Sequence, residues 1–157
     1  MPLSDLGREQ AREIAAALAD TRAAAVYSSD LRRALDTARP IADRLRRPLV
    51  EEPALRERDF GVLQGRLYAV VMDELRAAWS DPDSRPHGAE SWRDVYARVA
   101  RFLDGLRAAP PGRELILVTH GGTLNVAAAC LAGAPVEDMQ WQQIDNCAVI
   151  TLPLPLD

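Results

Sequence analysis

The sequence predicts an α/β protein, a three-layer α/β/α sandwich around a mainly parallel central sheet. Three observations predict it. Stretches of strand and helix character alternate along the chain, the order that builds a parallel sheet covered by helices on both faces. Leu115–Val118 is a run of four apolar residues, which suits a strand buried on both faces of such a sheet. Twice a strand-like run passes directly into turn and capping residues and then a helix, once after Tyr27 and once at Thr119–Gly122. Ligands of open α/β sheets bind beyond the carboxyl ends of the strands, so these two junctions are where chemistry is expected.

The elements follow in order. Leu6, Ile14 and Leu18, with Ala11 and Ala15 beside them, give Ser4 to about Ala19 one apolar helical face. Ala23–Tyr27 reads as a short buried strand, and Ser28, Ser29 and Asp30 are residues that cap helices. The next helix, Leu31–Leu45, is expected to kink or break near Pro40. A short extended piece spans Pro48–Glu51, and Pro53–Arg66 is an irregular, charged loop. Leu67–Trp79 returns to helical patterning before the Pro/Gly/Ser/Asp-rich loop of residues 80–91. Ser91 and Asp94 form a capping-box signature, and Trp92, Val95, Val99, Phe102 and Leu106 trace the core face of the helix that follows. A turn at Pro110–Gly112 delivers the chain to Leu115–Val118, then comes the helix Leu124–Leu131, and Asn146–Leu152, with its β-branched residues, reads as a last strand.

Composition narrows the function classes. A chain of 157 residues is one domain, 1–157, with 48% hydrophobic and 27% charged residues, as in ordinary globular proteins. The net charge is −4, and all 19 cations are arginine, scattered along the chain, which argues against nucleic acid or an anionic membrane as partner. No apolar run is long enough to span a bilayer and the first residues lack a signal-peptide core, so a cytoplasmic location is expected. Cys130 and Cys147 have neither metal-type nor CxxC spacing, and no metal or other cofactor is expected.

The residues with chemistry cluster at the two junctions and in the charged loop. His120 stands where the Leu115–Val118 strand hands over to a helix, and Gly121 and Gly122 would let an anion approach the backbone N–H groups there. Alternatively, His120 is a strand-end histidine satisfied by neighbouring backbone. Arg32 and Arg33 lie in a helix's first turn, where the dipole disfavours a cation unless an anion is held nearby. Two solvated surface arginines are the competing reading. Glu57 and Asp59 are the loop's candidates for proton transfer, or else surface charges paired with Arg56 and Arg58. His87, in the Pro/Gly-rich loop, is expected to be exposed.

Taken together, these stretches resemble the histidine phosphatase superfamily, which includes phosphoglycerate mutases and many small phosphomonoesterases. The resemblance rests on PLSDLGREQA, VYSSDLRRALDTA, LRERDFGVLQG, PHGAES and VTHGG, five motifs in family order over nearly the whole chain. It implies a phosphoglycerate mutase-like fold and a phosphomonoesterase acting on a small phosphorylated metabolite. It also implies that Arg33, not Arg32, grips the phosphate, that Glu57 donates a proton to the leaving group, and that His120 neutralises the transferring phosphoryl group. These are roles that phosphoryl transfer requires.

The departure is at the front. Family members begin with a strand ending in Arg-His-Gly that carries the nucleophilic histidine, and this sequence, with His87 and His120 as its two histidines, has no such element. The expectation is an N-terminally shortened form of a working phosphatase, the first family strand missing and a slot left beside the His120 strand. A pseudoenzyme that binds phosphorylated ligands or proteins without hydrolysing them is the reading from another class, and a purely structural interaction module ranks last. Within the enzyme reading, the short segment between Glu57 and His120 favours a phosphatase over a mutase. An α-ribazole phosphate, a sugar phosphate or another small monoester remains open as substrate, and a homodimer remains open as assembly.

Overall fold

The structure, a computed structural model, describes residues 2–66, 81–107 and 113–154. The helix expected at Leu67–Trp79 and the turn at Pro110–Gly112 lie outside the described residues. The first helix, α1 (Asp5–Ala17), starts where the Ser4 side chain accepts the Gly7 N–H at 3.1 Å. Strand β1 (Ala25–Ser28), helix α2 (Arg32–Leu45) and strand β2 (Leu49–Glu51) follow, then helix α3 (Trp92–Arg107), strand β3 (Leu115–Val118) and helix α4 (Gly121–Leu131). The strands form one parallel sheet in the order β2-β1-β3, with Val26 opposite Leu49 and Ile116, and Ser28 opposite Glu51 and Val118.

Alternation along the strands distributes the core into two layers, as a pleated sheet with side-chain period two requires. Val26, Ile116 and Val118 pack with Ala15, Ala38, Ile41 and Ala42 under α1 and α2. Tyr27 turns the other way and meets Phe102 edge-on, with ring centroids 5.6 Å apart, and Leu117 joins Val95, Val99, Leu103 and Val126 under α3 and α4. This is the three-layer arrangement that the alternating elements predict, and it brings the carboxyl ends of β1 and β3 side by side.

Four local expectations need correction. Helix α2 runs through Pro40 without a break. Proline removes one donor and crowds one carbonyl, but Ala34, Leu35, Ala38, Ile41 and Ala42, all buried, hold both halves of the helix on the sheet. Ser28, Ser29 and Asp30 do not cap α2, whose N-cap is Leu31 with no side-chain bond, because their side chains are engaged elsewhere. Asn146–Leu152 forms no strand: the segment has no ladder partner among the described residues, and Val149 and Ile150 are exposed. Strand β3 is half-buried at all four positions instead of buried on both faces, since it ends the sheet and only β1 pairs with it among the described residues.

The capping box at the start of α3 forms with an aspartate in the acidic role: Ser91 Oγ accepts the Asp94 N–H at 3.1 Å, and Asp94 Oδ2 accepts the Ser91 N–H at 3.0 Å. Ser91 is fully buried, so no water replaces its oxygen. Ser91→Ala is expected to cost about 1 kcal/mol, seen as a lower urea midpoint at unchanged m-value.

Candidate active site

The site is assembled from the ends of β1 and β3 and from the irregular loop between them. At the end of β1 the chain turns through Ser28 and Ser29, both fully buried. The Ser28 hydroxyl donates to the Ser29 carbonyl at 2.9 Å, while Ser29 Oγ accepts the Leu31 N–H at 3.3 Å and lies 2.9 Å from His120 Nε2. A hydroxyl just past β1 therefore holds the imidazole at the end of β3. The two arginines that follow separate cleanly. Arg32 is exposed and donates from Nε to Asp36 Oδ1 at 2.9 Å along the helix. Arg33 is half-buried, and its guanidinium has no ion pair among the described residues.

His120 is the N-cap residue of α4. Burial, and then the charges of Arg33 and Arg98, push its pKa down to about 3. The imidazole is neutral at pH 7, because a proton there would be both desolvated and repelled by two guanidinium groups.

Glu57 reaches the same corner from the loop. Its Oε2 accepts the Gly122 N–H at 3.2 Å, and its Oε1 accepts the Arg58 N–H at 3.0 Å and lies 3.4 Å from the Thr123 hydroxyl oxygen. A carboxylate at a helix N-terminus is favoured by the helix dipole. The two glycines differ in their surroundings. A Cβ at Gly121 would meet open space, but at Gly122 it would lie 2.5 Å from Glu57 Oε1 and 3.0 Å from the Trp92 ring. The Gly122 N–H is directed at Glu57 instead of standing free for an anion, and glycine is needed there so that the carboxylate can come close.

The side chains of the remaining loop charges engage other groups. Arg56 forms a two-pronged ion pair with Asp30, one prong Nε to Oδ1 at 2.6 Å, which holds the Asp30 carboxyl below its ordinary range. Asp59 accepts the Gly61 N–H at 2.8 Å and serves a turn. Arg58 is 1% exposed, lies 4.7 Å over the Trp92 ring and donates from Nε to the Glu90 carbonyl at 2.6 Å. His87 is exposed on the turn Pro86–Gly88, with φ of 55°. Beside Glu57 a cleft of about 800 Å³ opens, lined by Arg56, Arg98, Arg101 and Phe102 among others. Neither Arg33 nor His120 lines it.

Sequence reasoning missed Ser29, Thr119, Thr123, Glu90 and Arg98. The hydroxyls of Thr119 and Thr123 donate to the Leu55 and Arg56 carbonyls at 2.8 and 2.7 Å, tying the loop to the β3–α4 junction. The place of Ser29 at a strand's carboxyl end was a usable signal; nothing in a linear pattern pairs residue 57 with residue 98. Among the described residues, no group of three His, Cys, Asp or Glu is arranged to hold a metal, and no helix is long and apolar enough to cross a membrane.

The site thus holds a strand-end histidine, an arginine without an ion pair among the described residues and a glutamate from an intervening loop, and comparison with known proteins decides the family. The sequence profile of the histidine phosphatase superfamily (branch 1) matches residues 1–154. The chain belongs to this superfamily. It is similar to the glucosyl-3-phosphoglycerate phosphatase of Mycolicibacterium vanbaalenii, 41% identical over an alignment of 148 residues, with 87% of this chain and 65% of that protein covered. It is also similar to a protein of Enterobacter sp. (strain 638) named "Probable phosphoglycerate mutase", 30% identical over 94% of this chain and 71% of that protein. A solved mycobacterial glucosyl-3-phosphoglycerate phosphatase in complex with inorganic phosphate superimposes with a TM-score of 0.78 at 36% identity, covering 87% of this chain and 72% of that chain. The chain thus spans 65% of the length of the first of these histidine phosphatases.

The buried imidazole makes stability depend on pH. His120 has a folded pKa lowered from 6.5 to about 3, so the unfolded chain binds the extra proton first and stability falls as pH drops through that interval. Asp30, Asp94 and Glu137 are also held low, but their contribution is lost only as pH falls below ordinary values of 3.8 to 4.5. Between pH 6.5 and 4.5 the wild type should lose up to about 1.4 kcal/mol per pH unit, and His120→Gln should flatten that slope in denaturant titrations.

Proposed function

We propose that the chain carries a phosphomonoester site of the histidine phosphatase type, taking the dianionic phosphate of a small metabolite in the cytoplasm, without nucleic acid or membrane as partner. The observation that carries this reading is the positive charge gathered at the sheet's carboxyl end. Arg33 has no ion pair among the described residues, and His120 is desolvated in the field of Arg33 and Arg98. A dianion reverses that field. Arg33 grips two phosphoryl oxygens with its planar fork, and His120 gains a proton as the anion binds. Glu57 then stands at the leaving-group side, next to the cleft of about 800 Å³, and delivers the proton to the departing oxygen.

The leaving group that we assign is a sugar acid, as in glucosyl-3-phosphoglycerate, on the similarity to the phosphatases of that name. A phosphatase is favoured over a mutase because the similarity to the proteins named as phosphatases is higher, 41% against 30% identity. The second reading, a phosphate-binding protein without turnover, is supported by the two histidines themselves. His120 is held by Ser29, and His87 lies on an exposed turn, so neither offers an attacking nitrogen in the corner. Titration with inorganic phosphate, combined with hydrolysis of glucosyl-3-phosphoglycerate and trapping of phosphohistidine, separates the cases. Turnover supports the first reading, binding without turnover the second, and absence of binding overturns both.

Two outcomes are expected in calorimetry. Arg33→Ala should weaken phosphate binding at least about tenfold, the worth of a charge-assisted hydrogen bond, while Arg32→Ala, already paired with Asp36, should leave it within about twofold. Sulfate, which exchanges no proton of its own near pH 6, should bind with net proton uptake when buffers of different ionisation enthalpy are compared. Buffer-independent heats would remove His120 from the anion's surroundings.

A further inference from the structure

Glu57 has to hold its carboxylate in one place, yet it sits in a loop with no strand to fix it. The loop's main-chain groups are instead gripped from α3. Arg98 donates from Nη1 to the Ala54 carbonyl at 2.5 Å and from Nη2 to the Glu57 carbonyl at 3.4 Å. Its remaining prong, Nε to Glu90 Oε1 at 2.8 Å and Nη2 to Glu90 Oε2 at 3.1 Å, closes a bidentate ion pair in which both side chains are about four-fifths buried, at 18% and 21% exposure. Glu90 in turn holds the other end of the loop. Its Oε2 accepts the Asp59 N–H at 3.3 Å, its N–H donates to the Asp59 carbonyl at 2.9 Å, and its carbonyl accepts Arg58 Nε at 2.6 Å.

We propose that Glu90 and Arg98 are positioning residues that fix the Glu57 carboxylate against the Gly122 N–H, and so set where a proton reaches the leaving group. The proposal rests on the role given to Glu57 above. The pair brackets Glu57 on both sides in sequence: Arg98 clasps residues 54 and 57, and Glu90 clasps residues 58 and 59. Neither side chain touches the Glu57 carboxylate itself. Only a planar fork with several donors reaches two carbonyls and two carboxylate oxygens at once; an ammonium on a flexible stem keeps the charge and loses the geometry. Removing the Glu90 charge weakens the fork's own orientation, because charge-assisted pairs are about twice as strong as neutral ones.

The test reads Glu57 through its acceptor role, on the full chain and without ligand. In amide proton–nitrogen spectra, Glu57→Gln marks the upfield shift of the Gly122 amide proton when the carboxylate is lost. Arg98→Lys and Glu90→Gln, both conservative, are expected to move the Gly122 amide in the same direction while the amides of Ala11 and Ala15 in α1 stay in place. Glu57→Gln combined with Arg98→Lys should move Gly122 no further than Glu57→Gln alone. A Gly122 amide unmoved by both conservative variants, or shifts that simply add in the double variant, would overturn the proposal. Because no phosphate is used, failure of the chain to bind phosphate strikes the proposed function and leaves this readout intact.

Discussion

The carbonyl groups of residues 54–57 have no strand or long helix to satisfy them, and the whole corner depends on how they are bonded. Buried main-chain oxygens need partners, and here the partners are side chains from two separate elements. Arg98 of α3 takes Ala54 and Glu57, while Thr119 and Thr123 at the β3–α4 junction take Leu55 and Arg56. An irregular segment is thereby strapped between a helix and a strand end. Glu57, the chemically interesting residue, is carried along with its backbone to the start of α4.

The same corner explains why glycine, serine and threonine accumulate around the charged groups. Gly122 admits the Glu57 carboxylate, and Gly61, with φ of 56°, would place any side-chain carbon against the His87 carbonyl. Fully buried Ser29 gives the imidazole a neutral partner instead of a carboxylate. A carboxylate in that place would draw a proton onto the ring and cancel the local positive field. A hydroxyl leaves the field standing, even though the chain as a whole is acidic, with a net charge of −4.

The layers of the fold were legible because they rest on local periodicity. Val26 and Tyr27 point to opposite faces by strand geometry alone, and the apolar stripe of α3 has the spacing of a helix. The separation of Arg33 from Arg32 came from the family motif, while the Arg32–Asp36 pair became visible only in the structure. What the sequence hid was non-local. Glu90 and Arg98 read as a loop charge and the polar side of a helix, and their connection to Glu57 exists only after α3 packs on the loop. Ser28–Asp30 misled for a related reason: capping propensity is local, whereas distant partners at residues 56 and 120 claim two of the three side chains. The strand expected at Asn146–Leu152 failed because β-propensity supplies no neighbour, and a strand is stable only when paired.

The sheet register has a consequence for the newly made chain. Ala25 pairs with Leu115, a residue ninety positions later, while β1, α2 and β2 are contiguous and pair among themselves. As the chain leaves the ribosome, β1 emerges with one flank still unzipped. At a synthesis rate of about 5–20 residues per second, its mate follows roughly 5–20 seconds afterwards. During that wait the nascent half presents the raw edge of β1, with the apolar flank of Tyr27, as a ready seat for chaperones or for another nascent chain.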